Sequence, residues 1–452
     1  MQNKEFLGTE PIGRLLRRLA IPTVAAQLIN MLYNIVDRIY IGHIPGDGSL
    51  ALTGVGVCMP LILLVSAFAV LICSGGGPRA SIEMGKQNDS GAEKILGACF
   101  SAQLLLSAAL TAVLLIWHRP LLLLFGASEQ TISFAADYMG IYALGTVFVQ
   151  LTLGMNSFVV AQGFTKVSMT AVLLGAAANI ILDPVFIFGF SLGVRGAALA
   201  TILSQALSCA YILRFLCSPR SRLRLQRKHL APRPAIVLPC IALGLSMFIM
   251  QASESVISMA FNSSLLKYGG DIAVGAMTIL SSVMQFALMP VQGISQGAQP
   301  ILSYNYGAKD AARVRQTFSL LIRICVLYTA LIWALVMLFP QLFASIFTPD
   351  AALVTFSARA LRIYCAVICM FGVQVACQIA FVSLGNAPCS ILVAVIRKFI
   401  LLLPLIYIMP HLVSDPTMGI YLAEPVADFL AVSCTAIIFV LYFRKAMKKL
   451  ES

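Results

Sequence analysis

The chain has 452 residues, 60% of them hydrophobic and only 11% charged, so its apolar surface far exceeds what one soluble core could hide. Its formal charge of +13 is dispersed over alternate short loops instead of gathering in one patch, which excludes nucleic-acid binding and fits the positive-inside pattern. Runs of roughly 20 apolar residues, the length a helix needs to cross the hydrocarbon core, recur throughout.

These features predict an all-α polytopic membrane protein. Twelve spans are expected near 15–41, 51–76, 94–117, 133–161, 167–190, 195–216, 236–263, 272–302, 315–338, 353–384, 389–410 and 418–443. An even number puts both termini on one side, and that side collects Arg14, Arg17 and Arg18, Lys86 and Lys94, Lys166, Arg220 to Arg233, Lys309 to Arg315 and Arg444 to Lys449. By the same rule this side is cytoplasmic. Residues 1–14 are polar and the first apolar run is too long for a signal core, so no cleavable leader is expected.

The first span carries Gln27, Asn30, Asn34 and Asp37, spaced 3, 4 and 3, all on one helical face. Such a stripe must face other helices or water. Interhelical hydrogen bonding accounts for the amides, less easily for Asp37. Arg38 is adjacent, but neighbouring residues point about 100° apart, so it is not the natural partner.

The fifth span holds the run Ala178–Phe190 with Asp183 inside it and Asn179 one turn earlier on the same face. An intramembrane carboxylate is costly and by default marks function. Pro184 lacks an amide hydrogen and its ring displaces the Ile180 carbonyl, which should bend the helix beside the acid. In the sixth span, Thr201 falls about 10 Å below the outer end, as does Asp183, with Asp37 about 7 Å below its own. These depths bring Asp37, Asn179, Asp183 and Thr201 to one level. Two carboxylates so close hold a proton or a cation between them, and hard oxygens suit Na⁺ as readily as H⁺.

The basic, proline-containing stretch Cys217–Pro234 divides the chain into a first lobe (1–216), a linker (217–235) and a second lobe (236–452). A repeat supports this division. Gly75, Pro78, Ser81 and Gly85 recur as Gly297, Pro300, Ser303 and Gly307, with 307 − 85 = 222. Six spans per copy relate the lobes by a pseudo-two-fold axis along the membrane normal, which suits alternating access.

The acidic pair is not duplicated: at that offset Asp37 meets Met259 and Asp183 meets Leu405. The second lobe instead offers Glu254 with Gln251 and several serines in the seventh span. Gln285, Gln292, Gln296 and Gln299 lie on one face of the eighth, and Gln374 and Gln378 in the tenth. We read these residues, with the methionines among them, as the wall of a hydrated central cleft. Arg397 and Lys398 are expected to snorkel to the cytoplasmic face. Glu424 and Asp428 are expected to be shallow, solvated acids.

The 12 cysteines lie mostly within apolar runs and form no disulfide framework, and no HExxH motif occurs. Gly85-Lys86 is not a phosphate-binding loop, since position 80 is Ala. No metal beyond a transported ion, no cofactor and no enzymatic chemistry are expected. An intramembrane enzyme would need a nucleophile–base or metal constellation, and a channel explains the repeat and the acids less well than alternating access.

Pro22 through Asp37, Asn179-x-x-x-Asp183-Pro184, Gly297-Ala-Gln-Pro300 and Tyr304-Asn305-Tyr306-Gly307 together resemble the multidrug and toxic compound extrusion (MATE) family over essentially the full length. The resemblance implies a multi-pass bacterial plasma-membrane (inner-membrane) antiporter. It would export cationic amphipathic drugs in exchange for Na⁺ or H⁺, a single chain sufficing. It matches Asp37, Asn179, Asp183 and Thr201 to a first-lobe cation site and Glu254 to an acidic position of the seventh helix. The run Tyr364–Phe381 lacks the acid that some members carry in the tenth. The competing expectation is a flippase for lipid-linked precursors, which would want a larger, more cationic cavity.

Overall fold

Apolar runs become helices in chain order. The computed structural model describes residues 6–46 and 48–451, the side chain of Ser49 excepted. The spanning helices are α1 Ile12–Gly42, α2 Gly48–Gly85, α3 Asp89–Leu124, α4 Ile132–Ala161, α5 Thr165–Gly189 and α6 Val194–Cys217. One hydrogen-bonded run of 74 residues, Pro234–Gly307, then supplies two spans. It turns at Gly270, whose φ of 64° and ψ of −162° suit a residue without a Cβ. This leaves α7 as 234–269 and α8 as 271–307. α9 is Ala311–Leu338, and α10 joins Ala351–Tyr364 to Ile368–Ser383 through a 51° bend. α11 is Ala387–Leu412 and α12 Pro416–Glu451. All secondary structure among the described residues is helical, in twelve spans.

The sequence repeat reappears as repeated backbone. Gln87 and Lys309, 222 residues apart, are both left-handed with φ of 59°. The next residues, Asn88 and Asp310, cap the following helices by accepting from the amides of Gly91 (3.0 Å) and Arg313 (2.9 Å). Gly163 and Gly385 repeat a third left-handed turn, with φ of 81° and 75°. The two lobes are therefore built to one pattern.

The lobes meet on the linker side. A Cβ at Gly85 would collide with the Tyr304 carbonyl oxygen, and one at Gly307 with that of Ile82. The repeated glycines thus let α2 and α8 cross backbone to backbone. Around them, Thr23 donates to the Gly293 carbonyl (2.6 Å), and Asn305 and Arg313 donate to that of Leu7 (3.1 and 3.2 Å). Nearer mid-depth come the Phe68–Phe248 ring contact at 5.0 Å and Gln27 donating to Gln296 at 3.3 Å. These last two contacts form the floor of a cleft between the lobes. The linker is docked rather than loose: Ser221 donates to Gln162, and Arg222 pairs with Asp89 at 2.9 Å while lying over the Tyr304 ring.

Candidate cation site and central cleft

In the first lobe, α1 presents its polar face to α5. Asp183 is fully buried and Asn179 is 2% exposed. Asn179 Nδ2 donates to Asp183 Oδ1 at 3.3 Å, as their spacing of four on one helix demands. The carboxyl groups of Asp37 and Asp183 lie within hydrogen-bonding reach of each other, a geometry that calls for a proton or a cation between them. Pro184 interrupts the α-helical ladder, and the chain continues as a π-helical turn, Val185–Gly189. The deformation expected beside the acid is present. Arg38 points outward and makes no ion pair with Asp37.

Thr201 Oγ1 donates to the Ala197 carbonyl at 3.0 Å, and the buried phenol of Tyr138 reaches Thr201 from α4. Tyr33 lies near Asp37 on α1. Just below the acids is a cavity of about 50 Å³ bordered by Asn30, Tyr33, Asn156, Asn179, Thr201 and Gln205, room for a few waters. Oxygens without a hydrogen-bond partner cluster around it: Asp37 Oδ1, Asp183 Oδ2, Asn179 Oδ1, Asn156 Oδ1 and Gln205 Oε1. Buried acceptors left unpaired are expensive, and five of them with no resident base in contact constitute an oxygen cage suited to a proton or hard cation. Asn156, Ser204, Gln205, Tyr33 and Tyr138 were missed from sequence. Thr201, Ser204, Gln205 and Ser208 do share one face of α6, a polar stripe of the kind recognised in α1.

Of the remaining α1 residues, Gln27 spans the cleft floor to Gln296, Asn34 donates to the Asn30 carbonyl at 2.7 Å, and Asn30 borders the cavity. Across the cleft, Glu254, Gln285 and Gln292 are exposed and Gln251 half-buried. Gln378 departs from the expected wall. It is 4% exposed and donates to the Ser390 hydroxyl at 2.8 Å, which in turn donates to Ser246 at 2.7 Å. This relay ties α10, α11 and α7 together as interhelical glue. Met277 and Met284 are likewise buried in the second lobe's apolar core.

Four further expectations fail together. Arg397 and Lys398 do not snorkel, being 5% and 3% exposed, and Glu424 and Asp428 are not solvated, at 6% and 5%. Arg397 pairs with Asp428 at 2.8 Å and Glu424 at 3.3 Å, and stacks 4.7 Å over the Phe371 ring. Lys398 Nζ lies 2.6 Å from Glu254 Oε1. A second π-helical segment, Ile396–Leu402, carries both bases and turns them toward α12 and α7. Ion pairing offsets the desolvation that would otherwise drive these side chains to an interface. Glu254 is therefore already partnered, unlike Asp183.

Matches to known proteins follow this architecture. The family model MatE matches residues 22–185 and again 246–408, one copy per lobe. The chain belongs to the MATE family. The solved MATE multidrug transporter DinF-BH, crystallographically described with a bound compound, is 32% identical over 97% of both chains, with a TM-score of 0.89. A MATE crystal structure in the bent conformation superposes with a TM-score of 0.93 over the full length of both chains at 21% identity, a likeness of fold. Among curated relatives, Multidrug export protein MepA of Staphylococcus haemolyticus is 23% identical over 94% of each chain. The FAD transporter of Shewanella oneidensis is 27% identical over 95% of each. MATE proteins are transporters, so this chain is a multi-pass membrane transporter and not an enzyme.

Proposed function

We propose that this MATE chain is a secondary antiporter that exports cationic amphipathic compounds in exchange for Na⁺ or H⁺. The observation that carries the reading is the Asp37–Asp183 pair with Asn179, buried among partnerless oxygens and lacking a resident base. A proton or Na⁺ entering there neutralises the pair and lets α1 and α5 pack more tightly, whereas cargo occupies the cleft above the Gln27–Gln296 floor. If the two ligands favour opposite-facing states, their exchange drives transport. Thr201 and Tyr138 complete the oxygen set, and Glu254, Gln251, Gln285, Gln292 and Gln296 face the cargo. Both termini and the linker lie in the cytoplasm, so the closed side is the inner one and the cleft opens outward.

The multidrug names of the MepA and DinF-BH relatives support drug cargo. The FAD transporter relative raises an anionic cargo, and a lipid-linked pyrophosphate would ask for the same chemistry. Both are disfavoured here, because the buried bases of the second lobe, Arg397 and Lys398, are already neutralised by carboxylates. The test is ethidium uptake into inside-out proteoliposomes under a Na⁺ gradient or a pH gradient imposed separately. One gradient should drive uptake, and Asp183→Asn should reduce it roughly tenfold or more, within the 5- to 150-fold range of ordinary coupling energies. Wild-type uptake by Asp183→Asn would remove the acidic pair from the mechanism.

A further inference from the structure

The ion pair between Glu254 and Lys398 is one-sided. The lysine side chain is 4% exposed, while that of Glu254 keeps 57% of its surface open, although protein surrounds it. A carboxylate does not turn that open surface to lipid, so it faces the cleft, with the ammonium behind it. Lys398 has little alternative. The neighbouring acids Glu424 and Asp428 are engaged by Arg397, which is itself held against Phe371. Glu254 Oε1 is taken by Lys398 at 2.6 Å, leaving the second oxygen for a visitor.

We propose that Lys398 is a specificity-determining residue, a resident cation that shares Glu254 with the cargo and sets how tightly the second lobe holds it. In the empty cleft the ammonium neutralises the carboxylate, so no unpaired charge has to be solvated there. An arriving cation meets a half-neutralised acid and is held weakly, as an exporter that must release its load requires. The arrangement selects by hydration. A small inorganic ion would have to exchange its water for a carboxylate already in use. A bulky organic cation with delocalised charge gives up little hydration and adds apolar contact. The second lobe therefore takes organic cations and leaves the inorganic ion to the first.

This inference rests on the cationic cargo proposed above. It is tested by equilibrium ethidium binding to purified full-length protein in detergent at pH 8, read by fluorescence anisotropy. Lys398→Gln should tighten binding by roughly tenfold, a conservative share of the attraction between close charges at a protein surface. Glu254→Gln should weaken binding, and the Glu254→Gln/Lys398→Gln double variant should match Glu254→Gln alone, since Lys398 acts only through Glu254. Folded Lys398→Gln protein with wild-type or weaker affinity would overturn the inference. If Lys398→Gln does not fold, the double variant, whose cluster keeps the wild-type net charge, decides: binding weaker than Glu254→Gln alone overturns the proposal. Wild-type protein that binds neither ethidium nor tetraphenylphosphonium would defeat the cationic-cargo reading and this inference together. Binding that ignores Lys398 defeats the inference alone.

Discussion

The two lobes share a backbone pattern and differ in how they balance buried charge. Each breaks its fifth helix with a proline and a π-helical segment, Pro184 with Val185–Gly189 and Pro404 with Ile396–Leu402. In the first lobe this deformation sits beside two carboxylates without a base. In the second it carries two bases that meet three carboxylates. A lobe lacking internal counter-charge must take one from outside and release it, which suits an exchangeable ion. A lobe that carries its own is poised in every state, which suits a wall for cargo. The same scaffold thus separates ion exchange from cargo binding.

The comparison can be broken most forcefully at Arg397. Arg397→Met should destabilise the protein by about 3–5 kcal/mol, the usual cost of leaving a buried charge unpaired. In a thermal melt it should fall well below Asp183→Asn, which removes a charge that has no partner to orphan. The triple variant Arg397→Met/Glu424→Gln/Asp428→Asn should recover most of the loss. Equal melting of Arg397→Met and Asp183→Asn would erase the distinction between the lobes.

The repeated glycines sharpen the other half of the comparison, in which the lobes are alike. Gly85→Val and Gly307→Val each force side-chain atoms into the partner's backbone and should cost about 1–3 kcal/mol, the range for overpacking. The penalty falls on the state closed at the linker side. Cysteine labelling of the linker-side surface between α2 and α8 should rise in both variants, and by similar amounts because the contacts are pseudo-symmetric. A rise in one only would show that closure is not shared between the lobes. The smallest effect is expected at the cleft floor. Gln27→Ala or Gln296→Ala removes one partly exposed hydrogen bond and should change stability by about 0.5–1.5 kcal/mol or less in a melt. A larger loss would mean that the floor, not the glycine crossing, holds the lobes together.

Much of this protein was legible before its structure. Apolar run length set the spans, and the 222-residue register exposed the duplication. Asn88 and Asp310 then proved to be equivalent helix caps. The polar face of α1 and the Asn179–Asp183 turn were visible because helical periodicity is a local property that spacing alone encodes. The second lobe was less so. Arg397 and Lys398 looked like snorkelling bases, and Glu424 and Asp428 like shallow acids, because their partners lie 27 to 144 residues away. Asn156 and Gln205 likewise became site residues only when α4 and α6 brought their oxygens to one cavity. Hydropathy assigns a charge its cost in the membrane and says nothing of who offsets it. That is decided by which helices pack together, and so by tertiary structure alone.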